Sequence, residues 1–402
     1  MLNFIINKSI PNLSFERYLF IVMKNFKISF LIVLTSFLIN TLYSQERVIT
    51  TGVPFLMITP DARAAGMGDL GVSTSADAFS QQWNPSKYPF AENSKGFALS
   101  YTPYLSKLVN DIFLGNVTYY KKLNDRSSWA TSFKYFSLGD IQFNEVIGGT
   151  IVDQGVQRPN ELTLDISYSL KLSEFMAMAV AARYIRSDLK LNNDADSSSA
   201  NSLGIDIAAY FQSDSFELNG MNSIFRSGIN VSNIGPKLKY DIGGKQNFIP
   251  TNLKLGSGLE MNLDDDNKVT FNFELNKLLV PSPIATYDES NQFLGYKQPD
   301  IGFLSGIIES FSDAPDGIKE ELKEISWAFG FEYLFMKSFS LRTGYFNESQ
   351  EKGARRFLTL GTGFLINQMD INVSYLFSTS RVRSPLENTL RFSLAFNLED
   401  SI

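Results

Sequence analysis

The chain contains no cysteine and no histidine. The first absence excludes a disulfide framework, a thiolate metal site and a lipid-modified N-terminal Cys. The second removes the commonest general base and the commonest transition-metal ligand. Long apolar runs are also scarce. A helical membrane protein needs about 20 mostly apolar residues for every span, and a mean hydropathy of −0.07 does not provide them. A basic stripe is missing too: 36 Lys and Arg are scattered among 42 Asp and Glu, for a formal net charge of −6. No nucleic-acid partner is expected from that balance. No cofactor and no metal site are expected either.

What the 402 residues do contain is alternation. In 161–172 the even positions Leu162, Leu164, Ile166, Tyr168, Leu170 and Leu172 are apolar. The odd positions Glu161, Thr163, Asp165, Ser167, Ser169 and Lys171 are polar. Side chains on a strand alternate between faces, so such a segment has one greasy and one wet side. Tilted, it is long enough to cross a bilayer, which takes roughly 9–11 strand residues. An aromatic content of 13% suits a barrel whose two faces cancel in any hydropathy average.

The pattern recurs in fourteen candidate strands: 95–104, 111–122, 127–138, 161–172, 175–187, 202–213, 222–233, 251–262, 267–278, 325–335, 339–347, 357–366, 369–379 and 389–398. The connections add a second regularity. Long excursions, 139–160, 188–201, 234–250, 279–324, 348–356 and 380–388, follow odd strands. Tight turns, such as Asn124-Asp125-Arg126, Ser173-Glu174 and Asn367-Gln368, mostly follow even ones. Short periplasmic turns, longer external loops and an even strand number mark outer-membrane barrels. A soluble β-sandwich would alternate as well. Loop parity, the N-terminal leader and aromatics near strand ends favour the barrel. The expected fold is all-β: a 14-stranded antiparallel transmembrane β-barrel over 94–402, with an N-terminal hatch and long extracellular loops.

The start of the chain reads as an address. Lys24 and Lys27 precede the apolar run 28–34, extended by Phe37, Leu38 and Ile39. This is the form of a secretory signal peptide, with cleavage expected after Ser44; a membrane-anchoring helix is the alternative. Met23 would be a natural start, which makes 1–22 an upstream extension. Residues 1–44 are thus expected to be removed and the mature chain to reach the outer membrane.

Residues 45–93 are not strand-like. They carry Pro54, Pro60, a glycine-rich stretch and Trp83-Asn84-Pro85. A solvated linker would not carry Phe55, Leu56, Met57, Leu70, Phe79 and Trp83. The expectation is a compact plug on the periplasmic side, partly helical between Ala62 and Phe79, sitting in the barrel mouth.

The excursion 279–324 stands apart. Pro281 and Pro283 break the preceding strand. Ile301, Leu304, Ile308 and Phe311 fall on one helical face, and Ile318, Leu322 and Ile325 recur after Pro315-Asp316-Gly317. Two short amphipathic helices are expected. They could fold down as a lid over the barrel or present a partner-docking surface. Loops 139–160 and 188–201 read as solvated surface.

No catalytic constellation emerges. Asp165, Asp206, Glu260, Glu274, Glu332, Asp370, Arg183, Arg226, Arg342 and Arg391 lie on wet faces, where a polar lumen laced with salt bridges accounts for them. Asp264-Asp265-Asp266 lacks calcium-loop spacing and reads as a turn with a charged tip.

The stretch Asp61-Ala62-Arg63-Ala64-Ala65-Gly66-Met67-Gly68, with Gly71-Val72, Ala76-Asp77-Ala78 and Trp83-Asn84-Pro85, resembles the N-terminal signature of FadL-type barrels. That superfamily has fourteen strands and an N-terminal hatch. Within it, Thr51-Gly52-Val53-Pro54-Phe55-Leu56 and the runs 115–120 and 129–139 resemble the PorV (LptO) family of the Bacteroidetes type IX secretion system. The resemblance implies a hatch motif of Asp61, Arg63, Gly66, Met67, Gly68, Trp83, Asn84 and Pro85. It implies docking on a SprA-type translocon barrel and acceptance of secreted cargo through a C-terminal sorting domain, with adhesins among the cargo in gliding bacteria. It further implies delivery to attachment-complex proteins of the PorU, PorZ and PorQ types, with outer-membrane lipid or lipopolysaccharide as surroundings. Ile301, Leu304, Ile308 and Phe311 are the candidate partner contacts. A FadL-like channel for hydrophobic small molecules and a lipid A-modifying outer-membrane protein are the alternatives.

Overall fold

The computed structural model describes residues 48–106, 108–189, 199–240, 244–380 and 387–398. The expected leader, the Asp- and Ser-rich centre of loop 188–201 and most of loop 380–388 lie outside the described residues.

Fourteen long strands form one closed antiparallel sheet. In chain order they are β1 (Lys95–Pro103), β2 (Ile112–Lys122), β3 (Ser127–Leu138), β4 (Asn160–Lys171), β5 (Met176–Asp188), β6 (Ala200–Gln212) and β7 (Met221–Ile234). There follow β8 (Asn252–Asn262), β9 (Lys268–Leu278), β10 (Ile325–Phe335), β11 (Phe339–Asn347), β12 (Arg356–Ile366), β13 (Met369–Ser378) and β14 (Leu390–Leu398). Each pairs with its neighbours in sequence, and β14 closes onto β1 through Tyr101 opposite Phe392 and Lys95 opposite Leu398. Closure leaves no row of unpaired backbone groups along a long edge, the condition for strands to sit in lipid. No strand end departs from the sequence reading by more than two residues.

The barrel is inside-out. On β4 the apolar Leu164, Ile166, Tyr168 and Leu170 face outward, Ile166 with 58% of its surface exposed. The polar Glu161, Thr163, Asp165, Ser167 and Ser169 are buried. In water such a surface would be a severe aggregation liability. Against acyl chains it is the favourable arrangement, because the polar side chains turn inward, Glu161, Asp165, Ser167 and Ser169 each to a partner. Among the described residues no helix is long and apolar enough to cross a membrane.

Odd strands run from an end with short turns to an end with long loops. Loop 139–160, expected as solvated surface, holds an exposed hairpin, Ile141–Ile147 with Thr150–Gln157. Gly148 and Gly149, with φ of 59° and 86°, make its two-residue turn; positive φ at both central residues is what the right-handed twist of a hairpin selects. The 279–324 loop carries the two expected short helices. It also has a hairpin, Ile284–Tyr287 with Phe293–Lys297, before its two helices α2 (Phe303–Glu309) and α3 (Ile318–Lys323).

Residues 48–93 fill the lumen. They are buried almost throughout and bond to the inward faces of strands all round the barrel. Val53 and Phe55 pack with Leu114, Phe136 and Ile185 near the loop end, and Phe79 and Tyr88 pack with Tyr120 and Ala130 near the turn end. The segment therefore spans the height of the lumen and is not confined to one mouth. It is partly helical, as expected. Only Ala62–Gly66 (α1) is α-helical between Ala62 and Phe79, followed by 3-10 turns at Ser80–Gln82 and Pro85–Phe90. The positive φ of Gly68 and Asp69 stops the helix after one turn.

Candidate functional site

Two regions carry the chemistry that the strands leave unexplained: the hatch and the 279–324 loop.

The hatch motif residues mostly act as fasteners. Asp61 caps α1 by accepting the Ala64 N–H at 2.8 Å, and its other oxygen accepts the Trp83 indole N–H at 2.7 Å. Asn84 donates to the carbonyls of Val72 in the hatch and Ala209 in the wall, both at 3.0 Å. The Pro85 carbonyl accepts from Ser169 at 2.7 Å. Arg63 forks between Glu332 on β10, with Nη2 at 3.0 Å, and Asp77 within the hatch, with Nη1 at 2.8 Å. Glu332 is also held by Arg342 on β11. This charge-assisted network is worth more in a dry lumen than it would be in water.

The glycines serve contact distance. Gly68 donates to the Thr359 hydroxyl at 2.9 Å. Gly344 of β11 lies so close that a methyl group there would sit 2.0 Å from the Met67 carbonyl carbon. Met67 then packs with Leu70, Ala328, Phe346 and Phe357.

Several anchors were visible in the sequence only as wet-face charges. Glu274 accepts the backbone N–H groups of Gly71 and Val72 at 2.8 and 2.9 Å. Arg391 donates to Asp69 at 2.7 Å. Lys87, not singled out from the sequence, reaches Gly71 O and Thr74 Oγ1 at 2.9 and 3.0 Å. A mid-strand acid in a polar face carries no sequence mark saying which backbone it will receive.

In the loop, Leu304 and Ile308 lie one turn apart on α2, and both are exposed, Ile308 to 73%. Phe311, just beyond the helix, is exposed as well, and Ile301, before it, is half-buried. Ile318 and Leu322 repeat the arrangement on α3. The charged side of the loop points the other way, into the rim. Lys277 on β9 contacts Glu324 at 2.8 Å and Glu321 at 3.0 Å, and Lys352 contacts Glu320 at 2.7 Å and Glu324 at 3.0 Å. Burial pushes the Asp313 carboxyl up, against a hydrogen bond from the Ser282 N–H that lowers it.

Among the described residues, Asp313, Glu321 and Glu324 are the group with carboxylate oxygens close enough to share a metal ion. The Lys277 ammonium bridges two of the three, and Lys352 contacts Glu324 as well. Asp264 accepts from the Asp266 and Asn267 N–H groups at 2.9 and 2.8 Å, as a tight turn should. Hydrogen bonds, first from the Asn267 side chain, hold its carboxyl below the usual range.

Space is left in the lumen at two places. One cavity of about 80 Å³ lies between hatch and wall, and another of about 330 Å³ lies nearer the loop end. The latter has Val48, Ile49, Pro54, Met57 and Leu278 among its walls.

Solved structures of outer-membrane proteins share the fold. The toluene transporter TodX of Pseudomonas putida superposes with a TM-score of 0.51 at 12% identity, covering 86% of this chain and 100% of that one. A mutant of the TodX monoaromatic hydrocarbon channel gives 0.50 at 12%, covering 84% and 99%. A FadL homologue of Pseudomonas aeruginosa gives 0.43 at 9%, covering 85% and 98%. At such identities the likeness concerns the fold. The curated proteins contain no match to the chain. A family model described as type IX secretion system protein PorV matches residues 41–285, more than half of the sequence. With a closed fourteen-strand barrel around a lumen-filling N-terminal segment, the chain belongs to the PorV family of type IX secretion system outer-membrane proteins.

Proposed function

We propose that this barrel docks on a SprA-type translocon, accepts cargo proteins by their C-terminal sorting domain and carries them to the cell-surface attachment complex. The single observation that carries this reading is the orientation of the 279–324 loop. A lid would turn Leu304, Ile308, Phe311, Ile318 and Leu322 down onto the barrel. Here the acids face the rim and the apolar residues face away. A cluster of exposed aliphatic and aromatic side chains on a salt-bridged base is the composition of an interface centre. A lumen occupied by an anchored hatch suits a carrier whose work is done on its outer surface. Export would use the leader ending near Ser44, and the loop end would face outward.

Replacing Ile301, Leu304, Ile308 and Phe311 together with Ser is the test. Secretion of cargo bearing the sorting domain should fall at least tenfold while the barrel still assembles in the outer membrane. Normal secretion by the four-residue variant would remove the loop from the mechanism.

The second reading, a channel for hydrophobic small molecules, draws on the partly apolar cavity near the loop end. It requires the hatch to move. Uptake of a monoaromatic probe into vesicles holding the purified barrel would support it, and uptake equal to empty vesicles would count against it. The lipid A-modifying alternative has no residue set in its favour.

A further inference from the structure

We propose that the seam between hatch and wall is a binding site for one small hydrophilic oxyanion, with Lys134 as its charged donor. Lys134 stands on the inward face of β3 with only 3% of its surface exposed. Its ammonium has no hydrogen-bond acceptor and no ion-pair partner among the described residues. A buried ammonium left so is strongly disfavoured unless something supplies acceptors. The acids that could serve are already taken. Arg183 holds both Asp165 and Asp206. Glu274 turns one oxygen to two hatch N–H groups and meets Lys254 at 3.5 Å. Asp69 is held by Arg391.

Lys134 opens onto the cavity of about 80 Å³. Asn252 lines the same cavity, is 1% exposed, and has an amide nitrogen with no partner. Lys254 is the third donor, its ammonium 4.1 Å above the Trp83 ring. Two ammonium groups and a free amide N–H₂ thus line one space, where the carboxylate on the wall, Asp69, is held by Arg391. Such a set is complementary to an oxyanion and repels a cation. The volume admits a compact ion and excludes an acyl chain. Asn252 and Arg355 also line the larger cavity, which gives a way in from the loop end. Trp83 and the stretch 56–60 form the hatch side of the chamber, so a bound ion would tie hatch to wall.

Inorganic phosphate titrated calorimetrically into the purified full chain in detergent, at constant ionic strength, tests this. The expected result is one saturable event per chain, weakened at least tenfold in Lys134→Met and in Asn252→Leu and unchanged in Lys337→Met. Heat-modifiable gel migration confirms that each variant is a closed barrel. Should Lys134→Met fail to assemble, selenate soaked into wild-type crystals should give an anomalous peak between Lys134 and Asn252. No saturable uptake, equal uptake by Lys134→Met, or a chamber holding water alone would overturn the proposal.

Discussion

The hatch and the 279–324 loop are of similar length and both lie off the strands, yet they solve opposite problems. The hatch sends polar groups to the wall and buries its apolar residues in small clusters against it. The loop sends its acids to the rim and leaves its apolar residues uncovered. A segment pinned to the wall through Arg63, Gly71, Val72 and Asn84 is a structural closure. A segment anchored on one side and greasy on the other is incomplete without a partner. On the proposed reading the outer loop carries the docking and the lumen the stability, and each half can be tested by breaking it.

The largest effect should come from the hatch. Arg63→Ala removes the ion pair of Asp77 and one of the two ion pairs of Glu332 in the lumen. Removing one member of a buried pair costs about 3–5 kcal/mol. Unfolding of the barrel in lipid vesicles should move to lower denaturant by that amount, and the hatch should become open to protease. The wall itself comes next. Ile166→Arg places a charge on the lipid face and should cost about 2–4 kcal/mol if the site is near mid-bilayer, measured by the same unfolding. Gly344→Ala is smaller. Its methyl group would push on the Met67 carbonyl, an overpacking of about 1–3 kcal/mol, read as a lower unfolding midpoint with the barrel intact.

Much of this was legible in the sequence for a simple reason. A membrane barrel must alternate through every strand, because lipid outside and polar lumen inside allow no exceptions of length. Leu164 and Asp165 therefore announce their faces directly. The hatch was legible as a buried element from Phe55, Leu70 and Trp83, which no solvated linker would carry. Its path was not. Gly68 and Asp69 end the helix early through left-handed backbone, and Glu274 is chosen as an anchor only by the closed barrel. The hairpin at 141–157 had its signal in Gly148-Gly149 between alternating residues, a two-residue turn that the loop's polar reading passed over. The loop's two amphipathic helices could be read from spacing, but spacing gives a face and not its direction. Only Lys277 and Lys352, remote in sequence, fix the acids downward.

On the proposed function, the uncovered face of the loop makes the protein contacts. Affinity purification of the tagged wild-type chain and of the Ile301, Leu304, Ile308 and Phe311 to Ser variant from native membranes, with identification of the co-purifying chains, tests it most directly. The account predicts a large translocon barrel and secreted proteins with the wild type, and loss of both with the variant. The same partners recovered with both chains, or no protein partner with either, would contradict it.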